Sequence, residues 1–335
     1  MPYASFLTLL EDAKREHLTI VECIEQREAA ESDVPVLEVR SQLMEALQVM
    51  REAVRAGSRA DIKSRTGLTG GDAAKLFTTV NDPKAPNILG PRFTHILACA
   101  MATVEVNAAM GRIVAAPTAG ASGVLPGVFL TLDRDHGLGD EILVDGLLIA
   151  GAIGSCFATH ATLSGAAGGC QAEVGTAAAM TAAATTYMLG KIACEEVEFA
   201  PCSESGKGDG GEGLDLLGIK RGRQENCANL NEQVGHAASF AMQGQLGLVC
   251  DPVAGLVEIP CIARNATGAA VAMAGAQMAL SGLKFPIPFD EVVDAASRVG
   301  AAIPPSLRET AKGGLAITPT AKKIACQLEH KNCSD

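Results

Sequence analysis

The sequence predicts an all-α fold, a multi-helix domain with glycine-rich loops, and three observations carry that prediction. Apolar residues recur at helical spacing through most of the long segments. Strand-type alternation is nearly absent, and there is no βαβ rhythm, hairpin series or repeat of fixed period. Apolar residues make up 48% of the chain, with 3% aromatic and no Trp, so the core must be built from small and aliphatic side chains packed backbone near backbone.

In chain order, residues 4–28 read as one amphipathic helix with Phe6, Leu7, Leu10, Ala13, His17, Ile20 and Ile24 near one face. A break at 31–35 precedes the next helix, with Asp33 suited to cap it and Pro35 to its first turn. That helix runs to about Ala56, with Leu43, Leu47, Met50 and Val54 on one stripe, and Gly57 stops it. Residues 62–72 form a polar, glycine-rich loop, and 81–91 a second break. A helix follows from about Phe93 to Met110, then a small-residue turn over 115–123 that opens another helix at Val124. Residues 133–140 read as a loop, and helical patterns resume from Glu141, Gln171, Asn231 and Asn265. The charged, glycine-rich stretch 191–231 is foreign to this pattern and is expected to be a solvent-exposed insertion in one domain spanning 1–335.

A net charge of −11 and the lack of a basic stripe argue against nucleic-acid binding. Residues 146–172 carry no formal charge and are long enough to span a bilayer. They are also rich in Gly, Ser and Thr and contain His160, so they read as buried helix plus loop, with no membrane involved. No secretory signal is visible at the start, which sets the expectation of a cytoplasmic protein. Eleven scattered cysteines without such a signal do not suggest a disulfide framework. Cys23, Cys99, Cys156 and Cys326 lie in apolar helical patterns and read as inert core residues.

Three other cysteines stand apart. Cys250 is followed by Asp251-Pro252, and Cys261 is preceded by Pro260. Proline removes a backbone donor and turns the chain out of helix, placing each thiol near a helix end where free amides favour a thiolate. Cys170 sits in the glycine-rich run 164–175. Three thiolates at loop–helix junctions are what an iron–sulfur cluster with one uncovered iron would need, while spacing alone leaves structural cysteines open.

The loops supply complementary groups. In 117–123 the glycines bare backbone N–H groups, Thr118 and Ser122 add hydroxyls around Gly120, and a helix N-terminus follows, an arrangement suited to a carboxylate. A plain turn is the alternative. The stretch Lys63-Ser64-Arg65-Thr66-Gly67 offers two cations and two hydroxyls, or simply a solvated loop. His160, just before the Cys170 run, is a candidate for proton transfer or a structural histidine. Glu173 and Glu258, each three residues from a cysteine, are candidates for shifted pKa values or for partners of a buried Arg264.

Four stretches together, Ser64-Arg-Thr-Gly-Leu-Thr-Gly-Gly71, Glu105-Val-Asn-Ala-Ala-Met-Gly-Arg-Ile-Val-Ala-Ala-Pro-Thr-Ala-Gly120, Gly168-Gly-Cys170-Gln-Ala-Glu-Val-Gly175 and Cys250-Asp-Pro-Val-Ala-Gly-Leu-Val-Glu-Ile-Pro-Cys261, resemble the alpha chain of the bacterial-type, iron–sulfur-dependent L-serine dehydratases (L-serine ammonia-lyases). The resemblance covers nearly the whole chain apart from the insertion and the extreme tail. It implies a [4Fe–4S] cluster held by Cys170, Cys250 and Cys261 with the fourth iron open. It implies conversion of L-serine to pyruvate and ammonia without pyridoxal phosphate. It implies a separate beta chain as partner, hence a hetero-oligomer. The proton-abstracting group is left open among His160, Lys63 and a hydroxyl of the 117–123 loop. In some fused relatives a C-terminal cysteine caps the open iron; Cys333 is a candidate, although the tail around it does not otherwise match. The insertion departs from the family pattern and brings Cys194, Cys202 and Cys227, read as structural or free cysteines. A cysteine desulfidase of the same fold, a pyridoxal-phosphate enzyme using Lys63 or Lys207, and a cluster-free regulatory subunit are the competing readings.

Overall fold

Between Thr176 and Gly190 the chain carries no charge, and in the computed structural model these residues form helix that is buried on every side. A helix apolar all round has no face to give to water, so the other elements gather around it. The structure describes residues 5–198 and 229–332. Its α-helices are α1 (Phe6–Glu16), α2 (Ile20–Ser32), α3 (Val36–Gly57), α4 (Asp72–Asn81), α5 (Gly90–Ala108), α6 (Val124–His136), α7 (Asp140–His160), the single turn α8 (Gly165–Gly168), α9 (Thr176–Glu198), α10 (Leu230–Gln243), α11 (Cys261–Leu280), α12 (Phe289–Ala302) and α13 (Pro319–Asn332). No strand is formed among the described residues; Cys250 and Arg308 make an isolated bridge. The all-α expectation therefore holds.

Helix α9 packs against α6, α7, α10 and α11, and α5 is a second hub between α3, α4, α6 and α11. Helix α7 is long and apolar enough to cross a membrane, and most of it is buried here against its neighbours. Close backbone approach is what the missing aromatics foretold. A methyl group on Gly57 would stand 2.0 Å from the carbonyl oxygen of Ala102 on α5. Gly57→Ala is thus expected to cost about 1–3 kcal/mol through overpacking, read as a lowered unfolding midpoint by circular dichroism.

Several boundaries differ from the sequence expectation. The single helix expected over 4–28 is two: His17 turns left-handed at φ 56°, and Thr19 and Glu22 form a reciprocal capping box that starts α2. Leu9 rather than Leu7 faces the core; Leu7 is exposed. Asp33 does not open α3 but closes α2 in the left-handed region (φ 53°), and Pro35 is the N-cap of α3. Cys326 is exposed on α13, not an inert core thiol, whereas Cys23, Cys99 and Cys156 are buried. Of the expected insertion 191–231, the first residues to Glu198 continue α9 and Leu230 opens α10; residues 199–228 lie outside the described structure, as does Cys333. Cys194 is disulfide-bonded.

His95 on α5 illustrates how burial sets stability against pH. Thr131 Oγ1 donates to the Gly127 carbonyl at 2.7 Å, so it accepts from His95 Nδ1–H at 2.8 Å, which fixes the neutral tautomer. Burial, then the positive charge of Arg134, lower the His95 pKa to about 4. The unfolded chain binds this proton from about pH 6.5 downward and the folded chain does not. Stability is expected to fall as pH drops from about 6.5 towards about 4, and His95→Gln to flatten that slope in denaturant titrations.

Candidate active site

Each of the three singled-out thiols ends up at a helix boundary. Cys261 is the first residue of α11, behind Pro260 as N-cap. Cys170 lies between α8 and a π-turn, Gln171–Gly175, of the kind that often marks functional sites. Cys250 sits in an irregular segment after α10, pinned to the C-terminal loop: its N–H donates to Leu307 O at 2.8 Å and its carbonyl accepts from Glu309 N–H at 2.7 Å. All three are free and buried.

They are also mutual neighbours. Burial raises the Cys170 thiol to about 11, opposed by Arg264. Burial, then the nearby Cys170 and Glu173, raise Cys261 to about 12. Burial, then Cys170, Glu173 and Cys261, raise Cys250 further. No three His, Cys, Asp or Glu side chains among the described residues close around a single metal ion.

Polar side chains hold the three segments together. Gln171 donates its N–H to Leu248 O (3.0 Å), while its side chain accepts from Gly247 N–H (2.7 Å) and donates to Ala296 O (2.7 Å). This ties the Cys170 turn to the Cys250 segment. From α11, Arg264 donates to Val249 O at 2.9 Å and pairs with Asp251 at 2.7 Å, on either side of Cys250. Neither Glu173 nor Glu258 is its partner, as the sequence had allowed. Asp251 in turn accepts from Leu315 N–H at 2.7 Å.

The two predicted loops meet this assembly. The 117–123 loop makes a short 3₁₀ turn, Ala119–Ala121, packed on the π-turn and α11. Thr118 Oγ1 donates to Glu173 Oε1 at 2.9 Å. A methyl group on Gly165 would stand 2.7 Å from Glu173 Oε2 and 3.3 Å from Cys250 Sγ, and one on Gly120 3.3 Å from Glu173 Oε1. Glu173 therefore lies at the junction of loop and thiols. Its pKa is raised, chiefly by burial, with Thr118 opposing and Glu309 adding to the effect. The N–H groups expected to greet an anion are partly spent: Ala121 and Ser122 bond within the loop, and Gly123 donates to Asn265. Ser122 is fully buried, and its hydroxyl has no partner among the described residues.

The 62–72 loop docks through Glu258, whose two oxygens accept from Thr66 Oγ1 (2.8 Å) and Thr69 Oγ1 (2.7 Å). Ser64 is buried and accepts from Thr69 N–H at 3.2 Å, while Lys63 and Arg65 are exposed. The buried Glu105 accepts three N–H bonds, from Gly71, Asp72 and Ala73, capping α4 behind the loop. His160 is exposed at the end of α7 and makes none of the contacts that join the others. Two residues to which the sequence reading gave no role, Gln171 and Asn265, do much of the joining. Their signal was faint: a buried amide beside a cysteine run.

The model of the family described as serine dehydratase alpha chain matches residues 15–201 and 225–316. The chain belongs to the serine dehydratase alpha chain family. It is 39% identical over 316 residues to the probable L-serine dehydratase alpha chain of Bacillus subtilis, covering 94% of this chain and 92% of that one. It is 34% identical over 307 residues to the L-serine dehydratase alpha chain of Peptoniphilus asaccharolyticus, covering 92% and 91%. Against the L-serine dehydratase of Mycobacterium bovis identity is 34% over 334 residues, covering 97% of this chain and 63% of the relative. The internal stretch that the family model leaves unmatched, 202–224, falls inside the expected insertion.

Proposed function

We propose that this chain is the alpha subunit of an L-serine dehydratase, converting L-serine to pyruvate and ammonia at a [4Fe–4S] cluster held by Cys170, Cys250 and Cys261. The observation that carries the reading is the gathering of three buried free thiols from three separate segments beside Glu173, where a methyl group on Gly165 would meet both Glu173 Oε2 and Cys250 Sγ. A mononuclear site would draw every sulfur to about 2.3 Å from one ion. A cluster takes each thiolate on a different iron and suits a wider trio. Arg264 and the α11 N-terminus pull against the burial that raises these thiols, in the direction such ligation needs. When bound, the cluster's uncovered iron would supply Lewis acidity that makes the serine hydroxyl a better leaving group.

The chain's own residues do the rest. Thr118, Gly120 and Ser122 belong to the loop offered to the amino-acid carboxylate, and Ser64 with the cations Lys63 and Arg65 to the loop docked through Glu258. Glu173, half-buried beside the thiols with a raised pKa, is the group this reading gives the Cα proton, in preference to His160 and Lys63, which are both exposed. Loss of that proton and of the β-hydroxyl leaves aminoacrylate, which tautomerises and hydrolyses to pyruvate and ammonia. Burial of the thiols keeps bulk water from competing at the centre. A separate beta chain completes the enzyme, and the cytoplasm is the setting proposed for it.

Anaerobic purification with iron and sulfide analysis tests the reading, with serine and cysteine turnover measured on the same sample with and without a beta chain. About four iron and four sulfide per chain are expected, with pyruvate formed from serine. Protein free of iron after anaerobic reconstitution would sink the cluster, and preferential turnover of cysteine would favour the desulfidase.

A further inference from the structure

We infer that Asn265 is the positioning residue that clamps the substrate-side loop, 117–123, onto the cysteine-bearing end of α11, and so sets affinity for the amino-acid carboxylate. The inference rests on the dehydratase reading of the site and adds a residue to it.

Asn265 lies one helical turn after Cys261 and is fully buried. Its carboxamide makes three hydrogen bonds. Nδ2 donates to Cys261 O at 3.0 Å, which fixes the side chain against its own helix, and to Gly120 O at 2.7 Å across the interface. Oδ1 accepts from Gly123 N–H at 2.9 Å. Both donors and the acceptor are used, with two bonds reaching the loop and one the residue that bears the thiol. An aspartate has the shape but no donors, and a leucine has neither donor nor acceptor.

The two loop atoms held by Asn265 flank Ser122. Its hydroxyl is fully buried and unpartnered among the described residues, while the N–H groups of Ala121, Ser122 and Gly123 are already committed. A buried hydroxyl is rarely left unpaired unless something else fills the role. The clamp thus holds the loop's backbone and leaves the Ser122 hydroxyl as the donor open to a ligand's oxygen, the Thr118 hydroxyl being committed to Glu173. A loop fixed before binding spends less of the ligand's affinity on ordering it. Loosening it should therefore appear in KM before it appears in cluster content.

The test compares Asn265→Ala, Asn265→Asp and Ser122→Ala with the wild type, all purified anaerobically in the complete enzyme. Each is read for iron and sulfide, unfolding midpoint, and kcat and KM for L-serine. The expected result is a KM raised about tenfold or more in the Asn265 variants, with wild-type iron content and kcat within about threefold of wild type. Ser122→Ala, which removes an unpaired group without touching the clamp, should raise KM in the same sense. An Asn265 variant that carries its cluster and keeps the wild-type KM overturns the inference, as does one whose only change is a lower midpoint and iron content. Should neither Asn265 variant fold, an unchanged KM in Ser122→Ala overturns it. Wild-type enzyme lacking iron or turnover defeats the dehydratase reading instead, a distinct outcome.

Discussion

Cys250→Ser is expected to leave a folded, helical protein with no cluster and no serine turnover above background. The change removes one sulfur from a buried trio and substitutes a hydroxyl, a far poorer iron ligand. What holds the segment in place does not involve that sulfur. The Cys250 N–H and carbonyl remain bonded to Leu307 and Glu309, Arg264 still bridges Val249 and Asp251, and Asp251 still receives Leu315 N–H. The structural cost is then that of one buried hydroxyl, about 1–3 kcal/mol if unpaired. Cys170→Ser and Cys261→Ser should behave alike, because Gln171 and Asn265 fix their segments through amides rather than thiols. Circular dichroism of normal amplitude beside lost iron would show that ligation, not folding, was removed. Full iron content in any one of the three serine variants would remove that cysteine from the ligand set. Cys156→Ser is the control: that thiol is buried and raised to about 12 by burial, but it stands on α7 outside the thiol group, and activity should survive.

How far the sequence alone could reach follows from the range of each interaction. The all-α class was legible because helical periodicity is local. So was the placement of Cys261 and Cys170 beside breaks, because Pro260 and the 164–169 glycines act on their immediate neighbours. The split of the first helix was written in Thr19 and Glu22, yet the apolar stripe running through it outweighed a two-residue signal. Of the 117–123 amides expected to greet an anion, Gly123 N–H is claimed by Asn265, 142 residues away, and nothing near the loop in sequence announces that. Glu258 gripping Thr66 and Thr69, 192 and 189 residues away, is hidden for the same reason. The thiol trio was recognisable through resemblance, whereas its convergence is a property of the fold.

Glu173→Gln should cut kcat by about 10²–10⁴-fold, the usual contribution of a general base, with cluster content and KM little changed. The substitution is nearly isosteric, and the amide oxygen can still accept from Thr118 Oγ1, so the loop keeps its tether. What disappears is an acceptor for the Cα proton. Glu173 suits that role because burial, then the charge of Glu309, hold its pKa above the ordinary glutamate value, which strengthens its carboxylate as a base. The sign of the pH effect follows. Below its raised pKa the carboxyl is protonated and cannot take a proton, so kcat/KM of the wild type should fall on acidification along a limb lying above pH 4.5, the unshifted value. In the Gln variant the residual rate should lose that limb. His160→Gln and Lys63→Met serve as comparisons, each exposed and each removing the titrating group of an alternative candidate. If either of them erases the acid or base limb while Glu173→Gln retains near-normal kcat, the proton acceptor is theirs and Glu173 serves only to hold Thr118.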